Sequence, residues 1–347
     1  MWRSGGGPAP IRHGVRRRVY GAPVDDDHGL PRRRRGRLRR GALAAAATVL
    51  AVVGGSLVAG QLLIGPDQHP VGPPPADLAA RDVVVPVGGG RGVHGWLAPG
   101  RPGRGGVLLV HGLGSDRRSM LPRARWLHGL GYTVLLVDLR GHGESPGSKI
   151  TFGRLEADDV RAAAGFLRSQ VRDRPVAVVG VSLGGAATVL ADPPVPVQAV
   201  VLESVYPTFD SAVDNRMRIY LGPGGPLLSG LLVAQLPLRL GITDDDLRPV
   251  DRIGGLGAPV LVCAGEADRH TTVAETRALF DAAAGPKSLW LVPGAAHVDL
   301  YDADPQGYRS RIGPFLDRYL ADRPAGPAGP TDPAGPTDPG PPRRRRG

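Results

Sequence analysis

Val176-Ala177-Val178-Val179-Gly180-Val181-Ser182-Leu183-Gly184-Gly185-Ala186-Ala187-Thr188-Val189-Leu190 decides how this chain folds. The apolar run 176–181 predicts a buried strand, and the Ala- and Leu-rich run after Ser182 predicts a helix. A strand that runs straight into a helix needs a tight turn, and the serine at that turn holds its hydroxyl exposed. Gly180, Gly184 and Gly185 permit strained backbone and close helix–strand contact. The pattern Gly-x-Ser-x-Gly occurs a second time, at Gly143-Glu144-Ser145-Pro146-Gly147. No strand directly precedes Ser145, and Pro146 with Gly147 disfavours a helix after it. Ser182 is therefore the candidate nucleophile and Ser145 reads as a loop residue.

The same alternation extends outward from this unit. Short apolar runs at 83–87, 93–97, 106–110, 133–138, 176–181, 197–202, 259–264 and 288–292 read as strands. Several are continuously apolar, as expected of parallel strands buried on both faces. Helical stretches fall at about 117–130, 155–171, 183–191, 271–284 and 306–321. Strand–helix alternation predicts a doubly wound, mostly parallel α/β sheet with helices on both faces. The first two runs, joined by Gly88-Gly89-Gly90, predict an antiparallel hairpin at one edge.

A serine hydroxyl is a poor nucleophile until a base removes its proton. His297 follows the last strand in the loop Pro293-Gly294-Ala295-Ala296-His297 and is the candidate general base. His270 immediately follows the acid candidate and reads as a pocket-rim or surface residue. Asp268, four residues past the 259–264 strand, is the candidate acid that orients the imidazole. Glu266 and Glu203 are its rivals, the first by proximity and the second by position at the end of a strand. The oxyanion needs preorganised backbone donors. Leu183 N–H, just after the serine, and Leu113 N–H, in His111-Gly112-Leu113-Gly114-Ser115, are the candidates.

Taken together, His111-Gly112-Leu113-Gly114, Asp138-Leu139-Arg140-Gly141-His142-Gly143-Glu144-Ser145, the Ser182 turn, Gly265-x-x-Asp268 and Gly294-x-x-His297 resemble α/β-hydrolase fold esterases and serine aminopeptidase-like hydrolases. The resemblance covers about residues 82–321. It implies an eight-stranded sheet and hydrolysis of an ester, thioester or amide through an acyl-enzyme. It names no substrate, because this fold hosts many activities. Residues 205–250 interrupt the alternation, and this fold often carries a cap there. The apolar stretch 226–242 within it reads either as a cap lining an acyl-chain pocket or as a core helix covering the sheet.

Before the domain, residues 42–64 carry no charge and one Gln. At about 1.5 Å per residue they span roughly 35 Å, enough to cross a bilayer. The arginines at 32–40 predict a cytoplasmic N-terminus and an extracytoplasmic domain in the cell membrane. The alternative is a signal peptide cleaved at Ala59-Gly60, which would release a secreted protein. Residues 1–41 and 322–347 are expected to be disordered, and 65–81 is expected to be a Pro/Gly linker.

The net charge of +11 invites a nucleic-acid reading. Residues 1–41 contribute +9 and residues 323–347 contribute +3, which leaves −1 for the rest. A nearly neutral folded part argues against a nucleic-acid partner. The lone Cys263 lies in an apolar run, excludes an internal disulfide and reads as a buried strand residue. No metal-ligand spacing and no phosphate-binding glycine loop is present, so neither a metal nor a cofactor is expected. The expected activity is a membrane-anchored serine hydrolase acting on a small acyl ester. A serine aminopeptidase-like peptidase is the rival, with Asp210, Asp214 or Asp244–Asp246 anchoring a substrate amine. A non-catalytic, membrane-tethered binding module is the rival from another class.

Overall fold

The computed structural model describes residues 32–172, 174–297 and 299–321. The segments 1–31 and 322–347, expected to be disordered, lie outside the described residues. The chain divides into two units, Met1–Val52 and Val53–Gly347. The described part of the first is helical.

Helix α1 runs over Arg32–Ile64. It begins ten residues before the apolar segment does, so residues 32–41, expected to be disordered, are helical. Arginine is a good helix former, and extending a helix is far easier than nucleating one. The stretch Arg37–Ile64 has a mean hydropathy of 2.1 and is long and apolar enough to cross a membrane. Many of its apolar side chains are exposed: Leu43, Leu50 and Leu62 are 71%, 72% and 75% exposed, whereas Ile64 at its end is buried.

Residues 65–81, expected to be a linker, are partly structured. Asp67–Gln68 pairs in parallel with His142–Gly143, and a 3₁₀ turn forms at Ala76–Leu78. Val71 and Leu78 are buried and join the core. The Glu144 carboxylate accepts the Val71 and Gly72 N–H groups at 3.1 and 3.3 Å. Two apolar anchors and one carboxylate thus fix a proline-rich stretch that has no periodicity to announce it.

Eight strands form one sheet: β1 Arg81–Gly88, β2 Arg91–Ala98, β3 Gly106–Val110, β4 Thr133–Val137, β5 Val176–Val181, β6 Ala199–Glu203, β7 Val260–Gly265 and β8 Lys287–Val292. Their spatial order is β8-β7-β6-β5-β3-β4-β2-β1. The β1–β2 and β2–β4 pairs are antiparallel and the rest are parallel. Alternation along the strands sends side chains to two cores. Leu108, Val110 and Val178 face one, with α3 Glu156–Gln170 and α4 Leu183–Leu190 over it. Val107, Leu109 and Val179 face the other, under α2 Leu121–Gly129 and the C-terminal helix Pro305–Leu320. Between β6 and β7 the chain leaves the sheet to form α5 Phe209–Leu221, α6 Pro226–Val233 and α7 Leu236–Leu240.

On the second face a buried polar network joins three elements. Glu203 accepts from Arg123 Nε and Nη2 at 3.1 and 2.5 Å and from Tyr308 Oη at 2.6 Å. Both charged partners are about 1% exposed. Arg123→Met leaves the Glu203 carboxylate buried with only Tyr308 for company. Denaturant unfolding should show a loss of about 3–5 kcal/mol; a loss under about 1 kcal/mol would mean that the pair carries little of the domain's stability.

Candidate active site

Strand order brings the candidate residues to one edge. Val110 pairs with Gly180, so the loops after β3 and β5 leave the sheet side by side. Gly265 pairs with Val292, which does the same for the loops after β7 and β8. All four loops open at the carboxyl ends of parallel strands, where ligands bind in this architecture.

Ser182 sits at the N-cap of α4 with φ 47° and ψ −109°. Such a conformation costs of order 1–3 kcal/mol and persists only when its surroundings enforce it. Here Ser182 N–H donates to Glu203 O at 2.8 Å, and Ser182 O accepts from Ala186 N at 2.9 Å. The neighbouring glycines leave no alternative. A Cβ on Gly180 would stand 2.7 Å from Gly185 Cα, and one on Gly184 would stand 2.7 Å from His111 O.

Asp268 is buried at 4% exposure. Its Oδ2 accepts from His297 Nδ1 at 2.8 Å. Its Oδ1 accepts the His270 and Thr271 N–H groups at 2.8 and 2.9 Å. Burial alone would raise the carboxyl, but the bond from His297 and the two N–H groups outweigh it and hold Asp268 below the usual carboxylate range. The ionised carboxylate fixes the proton on Nδ1 and leaves Nε2 free to act as a base. Among the described residues no hydrogen bond joins Ser182 to His297, and such bonds often tighten only when substrate is bound.

The rivals separate on the same geometry. Glu203 is committed to Arg123 and Tyr308, and Glu266 is exposed. Ser145 is buried, with Oγ donating to Asp138 O at 2.7 Å and accepting from His94 N at 2.8 Å. Both capacities of that hydroxyl serve the loop. Cys263 is fully buried, and burial pushes its thiol far up. His270 stacks near His297 with ring centroids 4.7 Å apart. Burial and then the positive field of His297 lower its pKa. Asp268, His270 and His297 offer ligand atoms within 4.8 Å of one another, a grouping no sequence spacing announced. Among the described residues these three could hold a metal, and the Asp268–His297 bond already uses two of the ligand atoms.

Ser182, Leu183 and Leu113 line one chamber of about 350 Å³. Leu183 is the first residue of α4, so its N–H has no partner four residues back. Leu113 N–H makes no backbone hydrogen bond among the described residues. The rest of the wall comes from Phe152, from Leu232 of α6, from Tyr206, and from one face of α5. Ala59, Leu62 and Leu63, at the end of α1, complete it. Sequence reading left 226–242 open between a cap and a core helix, and it missed this contribution of α1. The signal present was the small pair Ala59-Gly60, which admits close packing: a Cβ on Gly60 would stand 2.4 Å from Gln235 Oε1.

The fold and this edge define the class, an α/β-hydrolase fold with a serine turn and an Asp–His pair. The chain belongs to the alpha/beta hydrolase family, whose model matches residues 107–311. An uncharacterized protein of Mycobacterium tuberculosis (strain H37Rv) is 36% identical over 225 residues, which cover 64% of this chain and 73% of the relative. The uncharacterized protein YqkD of Bacillus subtilis is 26% identical over 239 residues, covering 67% and 78%. Among solved structures, an esterase of Pyrococcus furiosus aligns over 74% of this chain and 98% of its own with a TM-score of 0.63 and 22% identity. A bacterial membrane phospholipase A aligns over 84% and 100% with a TM-score of 0.52 and 19% identity.

The loop that carries Leu113 depends on a neutral histidine. His111 is fully buried; Nε2 accepts from Leu139 N at 3.0 Å, so Nδ1 donates to Gly112 O at 2.7 Å. Burial, reinforced by His142, lowers its pKa from 6.5 to about 3. Above 6.5 neither state gains a proton. Below it the unfolded chain binds a proton that the folded chain refuses, so stability falls by about 1.4 kcal/mol per pH unit down toward pH 3. His111→Gln lacks this linkage. The stability gap between wild type and variant should narrow by about 2 kcal/mol from pH 7 to pH 5; equal pH slopes in chemical denaturation would refute the buried neutral histidine.

Proposed function

We propose that this protein is a membrane-anchored serine hydrolase that cleaves carboxylic esters bearing an apolar chain. The observation that carries the reading is the apolar chamber beside the strained Ser182. Ser182 Oγ attacks the acyl carbonyl while His297 Nε2 takes its proton. Asp268 stabilises the imidazolium that forms. Leu183 and Leu113 N–H groups hold the oxyanion. His297 returns the proton to the leaving alcohol, which leaves an acyl-enzyme on Ser182. Water, deprotonated by the same histidine, then releases the acid and restores the serine.

The chamber lining favours an ester over a peptide amine. An aminopeptidase needs a carboxylate to hold the substrate ammonium. Asp210, Asp214 and Asp244–Asp246 do not line the chamber, and the one charged side chain among its described lining residues is a cation, Arg216. A non-catalytic binding module would have no use for strained backbone at Ser182 or for the ionised Asp268 on His297.

Contacts at the end of α1 support a retained anchor over a cleaved signal peptide. Gln235 Nε2 donates to Ser56 Oγ at 2.9 Å. Arg239 donates to Gln61 Oε1 at 2.6 Å and to Leu57 O at 2.7 Å. Cleavage at Ala59-Gly60 would remove Ala59 from the wall and break the Ser56 and Leu57 bonds. In this reading α1 crosses the cell membrane with the arginines inside and the hydrolase domain outside.

Two outcomes test the reading. Ser182→Ala should lose about 10⁴-fold or more in ester turnover. For the full chain, kcat/KM should climb from acetyl toward octanoyl esters by up to roughly fourfold per methylene, since each buried CH₂ contributes about 0.8 kcal/mol. Ala59→Trp, which fills the chamber from α1, should reduce the octanoyl-to-acetyl ratio by about tenfold. A chain-length profile that is flat, or that Ala59→Trp leaves untouched, would remove the acyl chamber from the account.

A further inference from the structure

The wall that α5 presents to the chamber is a helical stripe: Phe209, Ala212, Val213, Met217 and Tyr220. Arg216 stands in the middle of it, where the spacing calls for another apolar residue. Its Nη1 donates to Ala212 O, one turn back in the same helix, at 3.0 Å. Among the described residues it has no ion-pair partner.

Two carboxylates whose fields reach Arg216, Asp268 and Glu275, are engaged elsewhere. Asp268 holds His297 and the His270 and Thr271 N–H groups. Glu275 accepts from Asn215 Nδ2 at 2.8 Å, from Thr272 N at 2.7 Å and from Thr272 Oγ1 at 3.0 Å. Arg216 is thus a guanidinium drawn away from water, beside apolar groups, with most of its donor fork open. Burial lowers its pKa, yet arginine stays charged in proteins. A half-buried cation without a counter-ion is unfavourable by itself. A planar fork with open donors is the geometry that carboxylates and phosphates bind best. It also lines the same chamber as Ser182.

We propose that Arg216 anchors an anionic group, a carboxylate or a phosphate, on the substrate, so that the site selects negatively charged amphiphilic esters over neutral ones. This deepens the ester-hydrolase reading and rests on it for the word substrate. The anion docks on the α5 side of the chamber, while the apolar chain lies against Phe209, Val213 and the end of α1.

Binding, separated from turnover, tests the proposal. The full chain carrying Ser182→Ala is titrated in detergent with hexanoate, hexyl phosphate and, as the neutral control, 1-hexanol. Charge-assisted bonds are worth about 1.5–3 kcal/mol, so at least one anion should bind roughly 10- to 100-fold more tightly than hexanol. The tighter of the two anions identifies the group. Adding Arg216→Leu should abolish the preference, and Arg216→Lys, which keeps the charge and loses the fork, should retain part of it. Equal binding of hexanol and both anions overturns the proposal. So does an anion preference that survives Arg216→Leu. Should the leucine variant not fold, the wild-type ratio and the lysine variant still decide. Absence of ester turnover in the wild-type protein would sink the ester reading instead, and the binding ratio reads Arg216 independently of it.

Discussion

The candidate active site depends on one strained turn, the φ 47°, ψ −109° backbone at Ser182. The turn exists because β5 must pass into α4 with no loop between them. It survives because Gly180, Gly184 and Gly185 let helix and strand touch. The two cores clamp it from either side, with Val178 in one and Val179 in the other. Strain of order 1–3 kcal/mol is small beside what those cores bury, and the serine is left at the edge with its N–H tied to β6.

Electrostatics then divides labour among the buried acids. Glu203 ends β6, and Asp268 lies three residues past the end of the adjacent β7. Glu203 is neutralised by Arg123 and tied to Tyr308, so it works as structure. Among the described residues no arginine or lysine pairs with Asp268, and the bond from His297 with two backbone N–H groups keeps it ionised and correctly turned. A carboxylate in that condition can orient an imidazole without competing for its proton. The chamber in front of these groups is lined mostly by apolar side chains, and Arg216 is the one charged side chain among its described lining residues.

Much of this was legible in the sequence. The eight strands follow from strand–helix context, because local pattern and global fold agree there, and the candidates Asp268 and His297 lie within hydrogen-bond distance while the Ser145 hydroxyl is engaged in its own loop. Three things were not legible. The helix at 32–41 was masked by arginine-rich composition that reads as disorder. The partial structure at 65–81 rests on long-range contacts of Val71, Leu78 and Glu144, which leave no periodic trace. The wall formed by Ala59, Leu62 and Leu63 joins a segment read as a membrane anchor to a cap more than a hundred residues away. Arg216 lies between these cases: a lone cation in an apolar helical stripe is visible in the sequence, but only the chamber gives it a purpose.

The most direct test is to identify which serine is chemically activated. The full chain is treated with a fluorophosphonate at neutral pH, digested, and the adduct located by peptide mass spectrometry. A single phosphonate on the peptide containing Ser182, absent after Asp268→Ala, is the expected result. An adduct on Ser145, or none on Ser182 while the protein remains folded, would contradict the account at its centre.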